Sequence, residues 1–194
     1  LGIPMAVAFV LVMSPWWIRN YREYGMFIPL AASSGNPMLQ GTYINYEQTP
    51  ENIVYYELGK NSLETNQIEI EVAKKRMIEG FKKDFWRYLK WYTIDKTRYF
   101  WNYPFYWREF LGIKSSFVML THYILLLGFP GIIMLFRKGF SKYFLPVALM
   151  AYFNIVHCYY MAFDRYAFPL LPVLSLFSAY FILEIVRVLM QKET

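Results

Sequence analysis

Apolar runs long enough to cross a bilayer constrain this chain more than any other feature. Three lie in its second half, at roughly 116–136, 143–163 and 167–190, each close to the ~20 residues a helix needs to traverse hydrocarbon. A fourth opens the chain, where residues 1–13 carry no charge and are followed by Ser14-Pro15-Trp16-Trp17-Ile18-Arg19-Asn20-Tyr21. Paired tryptophans, then a cation and an amide, are the order in which a helix leaves hydrocarbon through the aromatic belt into water. The expected fold is therefore an all-α polytopic membrane protein. It has about four transmembrane helices, one over 1–18 and three within 116–194, and a large, mainly helical extracytoplasmic loop over 19–115.

Composition agrees. Apolar residues make up 57% of the chain and aromatics 21%, while charged residues, at 18%, fall below the ~25% of ordinary soluble domains. The net charge of +6 does not point to nucleic acid, because the cations are interleaved with acids and form no long run. The one cysteine, Cys158, lies in an apolar run and has no partner for a disulfide or a thiolate metal site. The chain opens on Leu1 within an apolar run, with no charged n-region before it and no small-residue cleavage site after it. A signal peptide is not expected, and the sequence reads as the C-terminal part of a longer polytopic protein.

Short connections set the orientation. Arg137, Lys138 and Lys142 crowd the turn between the second and third runs, and Arg187 and Lys192 flank the end of the fourth, so both are expected to be cytoplasmic. The loop 19–115 and a tight turn at Asp164-Arg165-Tyr166 then face the other side. Within the loop, the glycine, proline and serine content of 21–56 predicts irregular backbone. Beyond it, Ile70, Ala73, Met77 and Phe81 share one helical face, with Asn66 and Glu69 at capping-box spacing ahead of them. Gly80 and Asp84 allow a break, after which Phe85, Leu89, Tyr92, Lys96 and Tyr99 continue at helical spacing. That aromatic segment is expected to lie against the membrane surface or the bundle.

Arg165 is the most informative single residue. A guanidinium at a membrane boundary is kept for an anionic ligand or for an ion pair, and its planar fork suits phosphate. The competing reading is a contact with Asp164 or with lipid head groups that only fixes topology. Arg19 carries the same pair of readings: it either snorkels to lipid phosphates or joins Arg165 in holding one. His122 and His157 read as hydrogen-bonded structural histidines, and Glu184 pairs with Arg187 along one helix face. No phosphate-cradling glycine loop, nucleophile elbow or metal-ligand cluster is present, and the loop acids Glu47, Glu51 and Glu57 read as solvated charges.

The segment Pro15-Trp16-Trp17-Ile18-Arg19-Asn20-Tyr21, then Gly25 and the stretch around Gly35, resembles the Pro-Trp-x-x-Arg-Asn segment of bacterial membrane glycosyltransferases of the dolichyl-phosphate-mannose protein mannosyltransferase-like family. The order of later features fits as well: a helical loop closing on Lys96 and Trp101, a basic inner turn, and Arg165-Tyr166 ahead of Pro169 and Pro172. The resemblance implies a C-type glycosyltransferase fold and a metal-independent, inverting transfer with no cofactor. The sugar would move from a polyprenyl-phosphate carrier to a lipid, glycan or protein acceptor on the extracytoplasmic side of the membrane. It implies donor-phosphate binding by Arg19, Lys96 and Arg165, with Tyr166 as a hydrogen-bond donor. The family's catalytic acid lies in a first outer loop not contained in these residues, so no catalytic residue is assigned and the chain alone is expected to be inactive. Two other classes stand beside this one: a transporter or flippase of lipid-linked sugars, and a non-catalytic membrane subunit.

Overall fold

A computed structural model describes residues 2–191, with the side chains of Lys138 and Phe140 excepted. Leu1 lies outside the described residues, as does Lys192, one of the expected cytoplasmic cations. The regular structure described is helical apart from one isolated bridge between Phe110 and Ile113. Three helical stretches are long and apolar enough to cross a membrane: Gly2–Tyr24, Ser115–Arg137 and Asp164–Met190.

Helix α1 (Gly2–Tyr24) runs past the tryptophan pair without a break, with Pro15 inside it. The two indoles are fixed by the chain that follows: Trp16 Nε1 donates to the Leu30 carbonyl at 3.1 Å and Trp17 Nε1 to that of Pro29 at 2.8 Å. Most of its side chains stay exposed, as suits a helix whose surroundings are lipid or other spans.

The loop builds a small core of its own. Helix α2 (Gly35–Gln40) forms where irregular backbone was expected, and packs Met38 and Leu39 with Tyr43 and Ala73 of α3 (Ser62–Lys83). Helix α3 starts earlier than the Asn66–Glu69 spacing predicts. Asn61 is the cap, accepting from the Glu64 amide at 2.9 Å, while the Glu64 carboxylate accepts from the Lys60 amide at 2.6 Å. Asn66 and Glu69 instead face α2. Asn66 Oδ1 accepts from the Gly35 amide at 2.7 Å, and the buried Glu69 carboxylate accepts from the Tyr56 hydroxyl at 2.6 Å and from the Asn36 amide at 3.3 Å. No room exists for a side chain at Gly35, whose added Cβ would strike the Asn66 carbonyl and the Glu69 side chain.

The expected break falls at Asp84, which caps α4 (Phe85–Lys90) by accepting from the Arg87 amide. A π-helical turn, Trp91–Asp95, then leads into α5 (Lys96–Trp101). Of the two placements expected, α5 takes the one against the bundle. His122 Nε2 meets the Trp101 carbonyl at 2.7 Å, and Trp101 Nε1 donates to Asn154 Oδ1 at 3.0 Å. His122 lies about 10 Å beyond the start of α6 at ~1.5 Å per residue, so the end of α5 is held well inside the bundle.

Helices α6 (Ser115–Leu126) and α7 (Gly128–Gly139) form one crossing with a tightened turn at Leu127, where Pro130 removes the amide that would bond Leu126. Gly128 and Gly131 let α7 approach α10 (Leu171–Met190) closely: an added Cβ would strike the Leu174 carbonyl at Gly128 and the Phe177 carbonyl at Gly131. Ser178 Oγ adds a bond to the Ile124 carbonyl at 2.6 Å.

The third apolar run departs from expectation. Helix α8 (Phe144–Tyr159) has 16 residues, which at ~1.5 Å each reach about 24 Å, short of the ~30 Å hydrocarbon core. Residues 160–163 are not helical. Asp164, Arg165 and Tyr166, expected in a tight turn, belong instead to the short helix α9 (Asp164–Ala167). A tightened turn, Phe168–Leu170, joins α9 to α10, with Pro169 inside it and Pro172 in the first turn of α10, so the connection between helices is 160–163. The expected Glu184–Arg187 pair is present at 3.4 Å.

Candidate functional site

The last carbonyls of any helix lack partners within it, and at the end of α8 a side chain from the loop supplies them. Lys96 Nζ donates to the Cys158 carbonyl at 2.8 Å and to the Tyr160 carbonyl at 2.9 Å, a cation at the negative end of a helix. Gly41 is pressed against the Tyr160 carbonyl, where any Cβ would overlap it, and Trp91 Nε1 holds Gly41 by its carbonyl at 3.0 Å. Two residues further on, Tyr46 satisfies both backbone groups of Ala162. Its hydroxyl accepts from the Ala162 amide at 2.7 Å and donates to the Ala162 carbonyl at 3.3 Å. The Tyr46 ring packs against Trp91, Tyr99 and Phe163. Asn45 and Tyr46 reach this geometry with φ of 56° and 57°, the left-handed region, which is uncommon for a ring-bearing residue and marks a constrained segment.

Arg165 follows this link. Its Nη2 donates to the Tyr166 hydroxyl at 2.7 Å, and its guanidinium lies 4.7 Å from the Tyr166 ring centroid and 5.6 Å from that of Phe163. The Asp164 carboxylate accepts from the Arg165 backbone amide at 2.8 Å, and no ion pair joins it to the guanidinium among the described residues. The fork is exposed. Tyr166 is itself fixed, stacked on the His157 ring at 4.5 Å, which stacks on Phe153 and bonds the Phe153 carbonyl through Nδ1 at 2.7 Å. His157 is thus hydrogen-bonded within its own helix, as expected of it.

Of the four expected phosphate-binding residues, Arg165 and Tyr166 come together. Arg19 does not join them: it bonds Asn20 Oδ1 at 3.3 Å and lies over the Trp16 ring, and no pocket or contact among the described residues connects it to Arg165. Lys96 is adjacent in a different sense. It is fully buried, facing carbonyls and the rings of Tyr92 and Trp91 rather than an open site, so it fixes the backbone that presents Arg165. Burial lowers the Lys96 ammonium from its ordinary 10.5 to about 7. Burial likewise pushes the Tyr46 phenol far above its usual value, keeping its hydroxyl protonated and able to serve Ala162.

Tyr46, Gly41 and Asn154 escape sequence reading. The only local signal is Asn45, a residue type that tolerates left-handed backbone, which marks a turn and says nothing of Ala162. Glu47, Glu51 and Glu57 are exposed, as expected, and no group of metal-ligating side chains occurs among the described residues. A scan of protein-family models finds no match to the chain, and searches of curated proteins and of solved structures find none.

Proposed function

We propose that this chain forms the donor-phosphate side of an integral-membrane glycosyltransferase. The enzyme moves a sugar from a polyprenyl-phosphate carrier to a lipid, glycan or protein acceptor at the extracytoplasmic face. The reading rests on Arg165: an exposed guanidinium at the start of a membrane-length helix, bonded to a phenol, stacked on two rings and ion-paired with no described carboxylate. A carrier phosphate gains negative charge as the glycosidic bond breaks. A cation already held in place stabilises that charge more in the transition state than in the ground state.

In this reading α8 and the link 160–163 together complete a fourth crossing. The turn bearing Arg137 and Lys142 is cytoplasmic, and 19–115 and α9 lie outside. Tyr166 holds the Arg165 fork and Lys96 fixes the link beneath it.

The test reconstitutes the complete protein in proteoliposomes with a panel of radiolabelled polyprenyl-phosphate sugars and lipid and glycan acceptors, comparing wild type with Arg165→Ala. Label is expected on an acceptor with wild type and not with the variant. Labelled lipid crossing the bilayer with no donor consumed would replace this reading with transport. Equal transfer by folded Arg165→Ala would remove Arg165 from the site.

A further inference from the structure

Helix α5 has two differently lined spaces on its flanks, and two of its neighbouring side chains belong to both. One is a cavity of about 520 Å³ between α5, the α6–α7 crossing and α8, walled by apolar side chains including Trp101, Phe129, Ile132, Val147 and Met150. Its volume is that of a typical small-molecule site. The other is a polar recess of about 280 Å³ bordered by Asn45, Asp95, Arg98, Tyr99, Asn102 and Tyr103. Arg98 and Asn102, one helical turn apart, line both.

The chemistry of the two spaces differs in the way the two ends of an amphiphile differ. The cavity lies at the depth of Phe129 and Met150, near the middle of the Ser115–Arg137 crossing and of α8, where hydrocarbon is the natural occupant. Away from Arg98 and Asn102, Asn154 on the cavity wall is already used, accepting from Trp101 and donating to Thr97. The recess holds the Arg98 guanidinium, which forms no ion pair among the described residues; Asp95, which also borders the recess, faces Lys90 at 3.6 Å. A polar or cationic head would leave that guanidinium unneutralised, whereas an anionic one answers it.

We propose that this is a binding site for an anionic, phosphate-headed lipid, with its chain in the cavity and its head on Arg98 and Asn102. The site is distinct from the Arg165–Tyr166 pair and does not depend on sugar transfer.

The experiment places the complete protein in phosphatidylcholine nanodiscs doped with hexadecyl phosphate carrying a mid-chain diazirine. The comparison probes are hexadecyl glucoside and hexadecyltrimethylammonium with the same chain. After irradiation, labelled peptides are mapped by mass spectrometry. The expected result is label on Phe129, Ile132, Val147 and Met150, about tenfold stronger for the phosphate than for either comparison probe. Arg98→Gln should abolish that preference and leave chain labelling in place. Ala151→Trp, which fills the cavity, should remove labelling with all three probes; Ile132→Trp serves if the first variant does not fold. Arg165→Ala should label as wild type does. Label spread over the lipid-facing Leu145 and Tyr152, equal labelling by the three probes, or an unchanged preference in Arg98→Gln would overturn the proposal. Failure of transfer by wild type would leave it standing.

Discussion

Lys96 Nζ sits 2.9 Å from the carbonyl oxygen of Tyr160, the first residue beyond α8, and so ties the loop that carries α5 to the non-helical link between α8 and α9. The same nitrogen also bonds Cys158, and a neutral amine retains enough hydrogens for both. Removing it should therefore be felt as lost order in 160–163 and at Arg165.

A pH dependence follows from its burial. The folded-state value of about 7 lies below the ordinary 10.5, so between those limits the unfolded chain binds the extra proton. Stability then rises as pH increases through this window, by on the order of 1 kcal/mol per pH unit, and the full penalty of the buried charge is present below pH 7. Thermal unfolding in detergent should show an apparent Tm that climbs from pH 7 to pH 9.5 in wild type, with a clearly smaller climb in Lys96→Met.

His122→Phe should weaken the seat of α5. The Trp101 carbonyl would lose its partner inside the bundle, at a cost of about 1–3 kcal/mol. Hydrogen exchange at residues 96–101 should rise in this variant while exchange in α3 is unchanged. Equal exchange in both segments would mean that His122 does not hold α5.

Gly131→Leu should separate α7 from α10. A side chain there strikes the Phe177 carbonyl, and backbone in packed helices cannot move aside as a flexible side chain does. A loss of about 2 kcal/mol or more is expected, read as a lower Tm, whereas Gly112→Ala, with open space around it, should act only through its left-handed φ of 73°.

Tyr166→Phe tests how Arg165 is held. The ring stacking would survive and the 2.7 Å bond would not. If the transfer reading is right, kcat/KM for the carrier-linked sugar should drop about tenfold with folding intact. A variant as active as wild type would show that the hydroxyl plays no part in setting the fork.

Much of this was legible in advance, for reasons that differ by residue. The apolar runs, the break at Asp84 and the Glu184–Arg187 pair depend on periodicity or on neighbours within one or two helical turns. The start of α3 was misplaced because the same spacing occurs twice, and Asn61 to Glu64 is as good a capping signal as Asn66 to Glu69. What decided between them was a distant partner, since Asn66 is taken by Gly35. The link at 160–163 was illegible for the same reason in stronger form: Tyr46 and Ala162 are separated by 116 positions, and nothing within either segment announces the other. The Arg165–Tyr166 contact is between sequence neighbours, while the burial of Lys96 needed the packed structure.

The π-helical turn Trp91–Asp95 acts as a phase shifter. One surplus residue per turn rotates everything after it by roughly 100° relative to an unbroken α-helix. Lys96, Phe100 and Trp101 therefore owe their inward aim to a length as much as to their identities. Deleting one residue between 91 and 95 would remove the surplus and let the turn close as ordinary α-helix with those side chains still aimed at α8, whereas forcing the full length into unbroken α-helix would turn all of them away together.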